Sequence, residues 1–358
     1  MEKFKRFFLL CFSILIFFGV SVQAITKEIV EEVRKSVVLL SVSQLEDPPV
    51  NARNSLCSGV VINERGHVLT NFHCIYKQKT ILLYYWNEED WTEYKVKVIG
   101  EDPLADLALL EVIGLERKVP YLKFAKDGDT YPGTEIFALG HPMGMAWSLS
   151  KGIVSSVDRY ARHPYIKSIQ VDAAINKGNS GGPIFNNKGE IVGIASLIVS
   201  RIDQNAGVGI AVRSDIAKHS LTSMLETGKV DRPALGVMII SLFGKDNHRK
   251  KILKDNPSIN TTIPNTFGLL ISDQNKPNNP IPKGLKVWDT IIGINDIDIN
   301  NDVEFADELR KYKVGETVSL NIIRDRRFIQ VDNVTLKVFP VPTDQLYGQG
   351  LTIPIPKN

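Results

Sequence analysis

The sequence predicts a mainly β protein, built from antiparallel β-barrels that are followed by a smaller α+β domain. Short apolar segments separated by turn residues run from residue 37 to residue 212, and such a series is typical of barrels or sandwiches. Helical patterns do not alternate with these segments, which argues against parallel βαβ units. One helical pattern closes this region, and a less regular region continues to about residue 340.

Residues 1–24 have the pattern of an export signal. Lys3, Lys5 and Arg6 precede an apolar run from Phe7 to Val20, and small residues lead to Ala24. This is the order of the charged, apolar and cleavage regions of a signal peptide, and the run is short for a membrane span. The alternative is an uncleaved anchor. In both cases the rest of the chain is exported.

The composition indicates a soluble globular protein. The chain of 358 residues is 43% hydrophobic and 23% charged, with a net charge of +3, so there is no global electrostatic case for binding nucleic acid. The basic cluster Lys245–Lys254 is typical of a solvated loop. Cys11 lies in the predicted signal, which leaves Cys57 and Cys74 as an even pair in an exported chain.

The first predicted domain covers residues 25–230. It begins with a helical pattern at Ile25–Lys35. A closing helix is expected from Ser214 to Glu226, buried along Ile216, Leu221 and Leu225, with Gly228 as its stop signal. Between the two helices we predict strands at Val37–Ser43, Cys57–Ile62, His67–Thr70, Thr80–Tyr85, Tyr94–Ile99, Leu107–Val112, Glu135–Leu139, Leu149–Val157, Ile169–Val171, Ile191–Ile198 and Val208–Val212.

The second predicted domain covers residues 231–340 and opens at Leu235–Val237. Its first third is rich in Asn, Lys and Pro, so loops are expected there. Residues 341–358 contain several prolines and predict an extended or disordered tail. The remaining predictions are loops at Asn256–Pro264 and Gln274–Pro282, a strand at Thr290–Asn295, a helix capped by Asp302 and ending at Tyr312, and a hairpin of Thr317–Arg324 with Phe328–Lys337.

The segment Ala174–Pro183 has the composition of a tight turn that presents a hydroxyl group. Gly178, Gly181 and Gly182 surround Ser180, and glycines allow backbone N–H groups to crowd around the hydroxyl as they do in an oxyanion hole. An ordinary surface turn has the same composition. A nucleophilic serine therefore requires a base and an orienting acid elsewhere in the chain.

His73 and Asp106 are the residues best placed to activate such a serine. His73 directly follows a predicted strand, and Asp106 directly precedes an apolar one, where a carboxylate shielded from water needs a hydrogen-bond partner. Taken singly, each is also compatible with a loop residue or a turn cap. The order His, Asp, Ser along the chain favours the catalytic interpretation.

These motifs resemble those of trypsin-like serine peptidases, and specifically of the HtrA/Deg family of exported proteases. Thr70–His73 is similar to the family's Thr-Asn-x-His box, and Asp106–Leu110 to its aspartate box. Asp172–Pro183 is similar to its serine box, with Lys177 where the family usually has proline. The resemblance implies a double six-stranded antiparallel β-barrel followed by a single PDZ domain.

The resemblance also implies roles for individual residues. Ser180 is expected to form an acyl-enzyme, His73 to act as its base, and Asp106 to orient the base. The N–H groups of Gly178 and Ser180 are expected to hold the oxyanion. No metal or cofactor is expected, since neither His-Glu-x-x-His nor Cys-x-x-Cys occurs. We interpret His67, His141, His163, His219 and His248 as loop or surface residues.

Ala174 lies six residues before Ser180, where trypsin-like enzymes that cut after Lys or Arg carry an acidic residue at the floor of the S1 pocket. A neutral floor cannot compensate a buried cation. We therefore expect small or medium apolar residues at P1.

The segment between the two remaining cysteines differs from what we expect of most HtrA-like relatives. It resembles animal digestive trypsin-like proteases, in which a cysteine follows the catalytic histidine and pairs across the same hairpin. Cys57 begins a predicted strand, and the next strand leads back to Cys74 beside His73. We predict a Cys57–Cys74 disulfide, with two buried free thiols as the alternative.

Gly284–Asn295 resembles the PDZ segment Gly-Leu-x-x-Gly-Asp-x-Ile, with Trp288 at the usual glycine position. The resemblance implies binding of peptide C-termini by strand addition. A structural cap is the alternative for this domain. The resemblance further implies unfolded or misfolded protein substrates, a periplasmic or secreted location, and a homotrimer. Cages built through a long loop are not expected, since Gln44–Ser55 is short.

Two other functions remain open at this point. One is a chaperone or sensor that binds unfolded chains. The other is a membrane-anchored signalling protease of narrow specificity.

Overall fold

The computed structural model describes residues 25–49, 54–87, 89–160, 163–198, 207–242, 250, 253–255, 267–272 and 280–347. The predicted export signal and the predicted loop Asn256–Pro264 lie outside these residues, as do most of Lys245–Lys254 and of Gln274–Pro282. Within the described ranges, no helix is both long and apolar enough to cross a membrane.

The first barrel follows a short helix, α1 (Lys27–Arg34), and closes in the order β1-β2-β3-β6-β5-β4. Side chains such as Val38, Leu40 and Leu83 fill its interior and are fully buried. A single helical turn, α2 (Phe72–Ile75), follows β3 directly. The strands are β1 (Val37–Ser43), β2 (Ser55–Val61), β3 (Val68–Thr70), β4 (Thr80–Trp86), β5 (Trp91–Asp102) and β6 (Leu107–Val112).

The second barrel closes in the order β10-β11-β12-β9-β8-β7. The prediction of two antiparallel barrels is therefore confirmed, although the sequence did not indicate β10. That strand has only three residues and begins with a proline, which cannot donate to a sheet and is tolerated at a strand's first position. The strands are β7 (Glu135–Gly140), β8 (Ser148–Arg159), β9 (Ser168–Val171), β10 (Pro183–Phe185), β11 (Ile191–Ile198) and β12 (Gly209–Arg213).

The closing helix, α3 (Ser214–Thr227), is correctly predicted, and of the three residues predicted to be buried Ile216 is buried, Leu221 is half-buried and Leu225 is not buried. Leu225 is 47% exposed, whereas Met224 is buried. The reason is that α3 packs closely against β5 at Gly100. A Cβ atom on residue 100 would lie only 2.5 Å from the Met224 Cβ. The helix ends at Gly228, which has φ +75° and whose N–H bonds the Met224 carbonyl.

The second domain, for which the sequence predicts a PDZ fold, is a sheet in the order β14-β15-β16-β18-β19, with β17 paired to β16. Its helix, α4 (Asp302–Leu309), is capped by Asn301, not by the predicted Asp302. The Asn301 side chain accepts hydrogen bonds from the N–H groups of Val303 and Glu304, as an N-cap residue does. The strands are β14 (Ile239–Ser241), β15 (Leu269–Ile271), β16 (Thr290–Ile294), β17 (Ile297–Asp298), β18 (Thr317–Arg324) and β19 (Arg327–Thr335).

The two chain segments that flank the PDZ domain pair with each other. Strand β13 (Pro233–Ala234), which enters the domain, is antiparallel to β20 (Lys337–Val338), which leaves it. Residues 341–358 are not wholly extended as predicted, because Thr343–Tyr347 forms a short helix, α5. Pro342 directly precedes this helix, a position that proline tolerates, and the helix packs its apolar side chains on the first barrel. Residues 348–358 lie outside the described part.

Candidate active site

His73 lies at the corner where β3 turns into α2. Two residues earlier, the side-chain amide of Asn71 donates a 2.9 Å hydrogen bond to the Asp106 backbone carbonyl. The backbone N–H of His73 donates to Asp106 Oδ1, also over 2.9 Å. The corner that carries the histidine is thus fastened to the residue that precedes β6.

Asp106 is fully buried, and its side chain is held by several donors. His73 Nδ1 lies 2.8 Å from Asp106 Oδ2, and Ser196 Oγ donates to the same oxygen over 2.6 Å. The Tyr347 hydroxyl lies 3.4 Å from Oδ1. Asp106 has φ +60°, a conformation that Asp tolerates better than most residues. Hydrogen bonds to a buried carboxylate are what allow it to stay charged away from water.

Ser180 occupies a turn that only glycine neighbours permit. Gly178 has φ +105°, and a Cβ there would lie 2.4 Å from the His141 carbonyl oxygen. Gly181 has φ +84°, and a Cβ there would lie 2.2 Å from the Ser58 carbonyl oxygen and 2.3 Å from Thr70 Oγ1. The turn therefore packs tightly against β2 and against the end of β3, next to the His73 corner.

Backbone hydrogen bonds hold this turn in place. The Ser58 N–H donates to the Ser180 carbonyl over 2.8 Å, and the Gly181 N–H donates to the Ala195 carbonyl over 2.9 Å. Ala195 is followed by Ser196, which contacts Asp106. The turn and the carboxylate are therefore linked through one short stretch of β11.

The structure brings His73 and Asp106 into direct contact, and it places the Ser180 turn against the same corner. Among the described residues, the Ser180 hydroxyl makes no hydrogen bond to His73. Catalytic hydrogen bonds are often long when no substrate is bound. Within the same residues, the N–H groups of Gly178 and Ser180 donate no hydrogen bond to the protein. Both donors are thus available to a negatively charged oxygen.

Cys57 and Cys74 form a disulfide, as predicted. Both are buried, and the sulfur atoms and a ring nitrogen of His73 lie within 4.8 Å of one another. Cys57 is adjacent to Ser58, which holds the Ser180 carbonyl, and Cys74 is adjacent to His73. The disulfide therefore ties the strand that supports the serine turn to the helix that carries the histidine.

Ala174 lies at the start of the Ser180 segment and is exposed. The Ser150 hydroxyl donates to its carbonyl over 3.0 Å, and its neighbour Ile175 is buried against Gly209 of β12. The nearby carboxylate of Asp172 accepts a 2.6 Å hydrogen bond from the Ile153 N–H. Ala174 itself thus contributes no charge, and the Asp172 carboxylate two residues earlier is hydrogen-bonded to the main chain of β8.

The prediction that His141 is a loop or surface residue is wrong about its exposure. His141 lies in a loop but is fully buried. Its N–H donates to Ser58 Oγ, which in turn donates to the Gly178 carbonyl over 2.7 Å. Burial lowers the pKa of His141 to about 4, so the ring is neutral at pH 7 beneath the serine turn.

Family models match both halves of the chain. The model of the trypsin-like peptidase domain matches residues 57–194, and the model of the PDZ domain matches residues 245–336. The two closed six-stranded barrels and the smaller sheet that follows them are therefore those of a trypsin-like peptidase domain joined to a PDZ domain.

The chain is similar in sequence to serine endoproteases of the HtrA/DegP type. A Brucella suis protein named probable periplasmic serine endoprotease DegP-like is 31% identical over 286 residues, which are 79% of this chain and 52% of the relative. A Marinomonas protein with the same name is 34% identical over 305 residues, which are 83% of this chain and 60% of the relative. The chain therefore spans roughly half the length of the curated relatives that it matches.

Solved structures share the fold over both domains. The HtrA-type protease AlgW with a decapeptide superposes with a TM-score of 0.72 at 23% identity and covers 88% of this chain and 98% of that chain. The serine endoprotease from Yersinia pestis superposes with a TM-score of 0.66 at 23% identity, with 87% and 97% covered.

Proposed function

We propose that this protein is an exported serine endopeptidase in which Ser180 is the nucleophile, His73 the base and Asp106 the orienting acid. The observation that carries the proposal is the buried Asp106 carboxylate, 2.8 Å from His73 Nδ1, beside a serine turn with two available N–H donors. We assign residues 25–230 to the protease domain, 231–340 to the PDZ domain and 1–24 to the export signal.

The reaction follows from these positions. Ser180 Oγ attacks the carbonyl carbon of a peptide bond, and His73 Nε2 takes the hydroxyl proton. The carbonyl electron pair moves onto the oxygen, which accepts hydrogen bonds from the Gly178 and Ser180 N–H groups. The C–N bond then breaks, and the proton on His73 passes to the leaving amine. Water hydrolyses the acyl-enzyme by the same steps, while Asp106 stabilises the imidazolium in both halves.

The specificity follows from Ala174 as the floor of the S1 pocket. An apolar floor next to the buried Ile175 favours small or medium apolar P1 residues such as Val, Ala or Ile. A Lys or Arg side chain would find no counter-charge at residue 174, and burying a cation without one costs several kcal/mol. Mapping the cleavage sites in a denatured protein tests this, and a majority of cleavages after Lys or Arg would contradict it.

The proposed substrates are unfolded or misfolded proteins, cut outside the cytoplasm by a homotrimer. The location is supported by the names of the relatives, which are called periplasmic. Peptide C-termini are the proposed ligands of the PDZ domain, and AlgW, a structural neighbour, is described with a decapeptide. The domain also contacts the protease barrel, because Arg310 donates to the Tyr165 carbonyl over 2.8 Å.

Casein digestion by the purified exported protein and its variants tests the catalytic assignment. Ser180→Ala removes one oxygen from a turn and nothing from the core, so we expect a folded protein with no detectable cleavage. His73→Ala should behave alike, since a serine without a base is a weak nucleophile. Ser155→Ala, at an exposed serine of β8, is the matched control and should retain full activity. Hydrolysis by Ser180→Ala would refute the assignment.

A further inference from the structure

The segment that follows the PDZ domain returns to the protease barrel. We call residues 341–347 the post-PDZ segment. Its helix α5 begins after Pro342, whose carbonyl accepts from the Leu346 N–H. Leu346 and Tyr347 pack against the core of the first barrel, and Tyr347 is only 9% exposed. A segment predicted to be extended therefore ends in a buried aromatic side chain.

Tyr347 contacts both elements that carry the proposed His–Asp pair. Its ring lies edge-to-face on Phe72, with centroids 5.0 Å apart, and 5.4 Å from the Tyr76 ring. Phe72 directly precedes His73, so the Tyr347 ring packs against the helical turn that carries His73. Its hydroxyl donates to the Pro103 carbonyl over 2.5 Å and lies 3.4 Å from Asp106 Oδ1.

We propose that Tyr347 is a positioning residue for the His73–Asp106 pair, and that the post-PDZ segment is part of the functional protease. The inference rests on the proposed function. A hydroxyl has one proton, and the short bond to Pro103 fixes the main chain three residues before Asp106. The same hydroxyl lies 3.4 Å from Oδ1 of a carboxylate that is fully buried.

Two physical effects follow from this placement. First, excluding water from Asp106 lowers the local dielectric constant, so the carboxylate stabilises the imidazolium more strongly. Second, Asp106 sits at φ +60°, a conformation that persists only where surrounding contacts hold it. The bond to Pro103 and the ring contacts supply part of that support from outside the protease domain.

The other anchor of the segment is exposed and therefore weak. Asp344 accepts from the Tyr76 hydroxyl and lies 3.1 Å from Lys77 Nζ. The Asp344 and Lys77 side chains are 84% and 62% exposed, and ion pairs at such sites contribute little. The effect on the active site should therefore depend on Tyr347 and very little on Asp344.

The test compares Tyr347→Ala and Tyr347→Phe in the full chain with Tyr131→Ala, a control at a tyrosine that is 62% exposed. Active-site titration with a fluorophosphonate normalises kcat to competent enzyme. We expect Tyr347→Ala to lower kcat by about tenfold or more, since small displacements of catalytic groups are costly, and to leave KM within about twofold. Tyr347→Phe keeps the ring and should lose about two- to fivefold, the effect of one hydrogen bond. Tyr131→Ala and Asp344→Asn should match the unchanged protein.

The pH profile separates positioning from a purely structural role. In Tyr347→Ala, water can reach Asp106 and weaken the attraction between its carboxylate and the His73 imidazolium. The acid limb of kcat/KM should therefore move to lower pH. A purely structural role would lower Tm and the titrated fraction but leave kcat per titrated site and the acid limb unchanged, and that result would overturn the inference. Hydrolysis by Ser180→Ala would instead overturn the proposed function. An inactive Ser180→Ala beside an unaffected Tyr347→Ala would overturn only the role of Tyr347.

Discussion

Gly178→Ala is expected to disable the proposed oxyanion hole while leaving the rest of the protein folded. The backbone there has φ +105°, a region that costs an alanine about 1–3 kcal/mol. The added Cβ would lie 2.4 Å from the His141 carbonyl oxygen and 3.0 Å from both Met143 N and Pro142 Cα. These are backbone atoms that cannot rotate away, and overpacking of this kind costs about 1–3 kcal/mol more. The turn must therefore shift, and the Gly178 N–H moves with it.

The loss of one oxyanion donor lowers kcat by about 10²–10³-fold. Gly133→Ala is the matched control, because Gly133 has φ +95° and a Cβ there would meet no atom of the described residues within 4 Å. Gly133→Ala introduces the same kind of backbone strain without the steric clash that occurs at Gly178, and should keep kcat within about threefold of the unchanged protein. The assay is steady-state hydrolysis of a peptide substrate with an apolar P1 residue. Full kcat in Gly178→Ala, or an equal loss in Gly133→Ala, would refute the reasoning.

Two other predictions concern stability. Burial lowers the pKa of His141 from 6.5 to about 4, so the unfolded chain binds a proton that the folded one does not as the pH falls from 6.5 to 4. The free energy of unfolding should therefore fall by up to about 3 kcal/mol as the pH falls over that range. Urea midpoints of the unchanged protein should then fall more steeply on acidification than those of His141→Gln, and equal slopes would contradict this. Replacing Cys57 and Cys74 by Ser removes a crosslink between residues 17 positions apart, which should lower stability by about 3 kcal/mol. Two alkylatable thiols in the unreduced native protein would show that the crosslink is absent.

The strands of the two barrels other than β10 can be predicted from the sequence because they are short, largely apolar segments between turn residues. Val37–Ser43, Leu107–Val112 and Ile191–Ile198 begin and end where the pattern indicates. The buried residues of α3 could be predicted only in part. Helical spacing makes Leu225 a candidate for burial, but Leu225 is exposed and Met224, at the close approach of β5 at Gly100, is buried. Such a contact depends on the tertiary fold and leaves no periodic signal.

The site could be predicted only where residue type and order carry the chemistry. His73, Asp106 and Ser180 stand in motifs, and the structure joins the first two directly. Ser196 and Tyr347 contact Asp106 from 90 and 241 residues away, and no local pattern marks either one. A serine in a β-strand and a tyrosine at the end of a short helix are ordinary residues until closure of the barrel and the return of the chain bring them to the carboxylate.

The loop from Asp102 to Asp106 is fastened by both segments that flank the PDZ domain. Arg232, which precedes β13, donates two hydrogen bonds of 2.7 and 2.6 Å to Asp102 in a buried pair. The Tyr347 hydroxyl donates to the carbonyl of the next residue, Pro103, and lies 3.4 Å from Asp106 Oδ1 at the other end of the loop. If both act through this loop, their effects on kcat/KM must be coupled. Arg232→Lys keeps the charge but loses the planar fork that allows a bidentate bond, and Tyr347→Phe removes only the hydroxyl. In the double-mutant cycle we expect a coupling energy of at least about 0.5 kcal/mol. If the effects of the two substitutions on kcat/KM are strictly additive, the two segments support the barrel independently. Arg232 and Tyr347 are then not coupled through the loop that leads to Asp106.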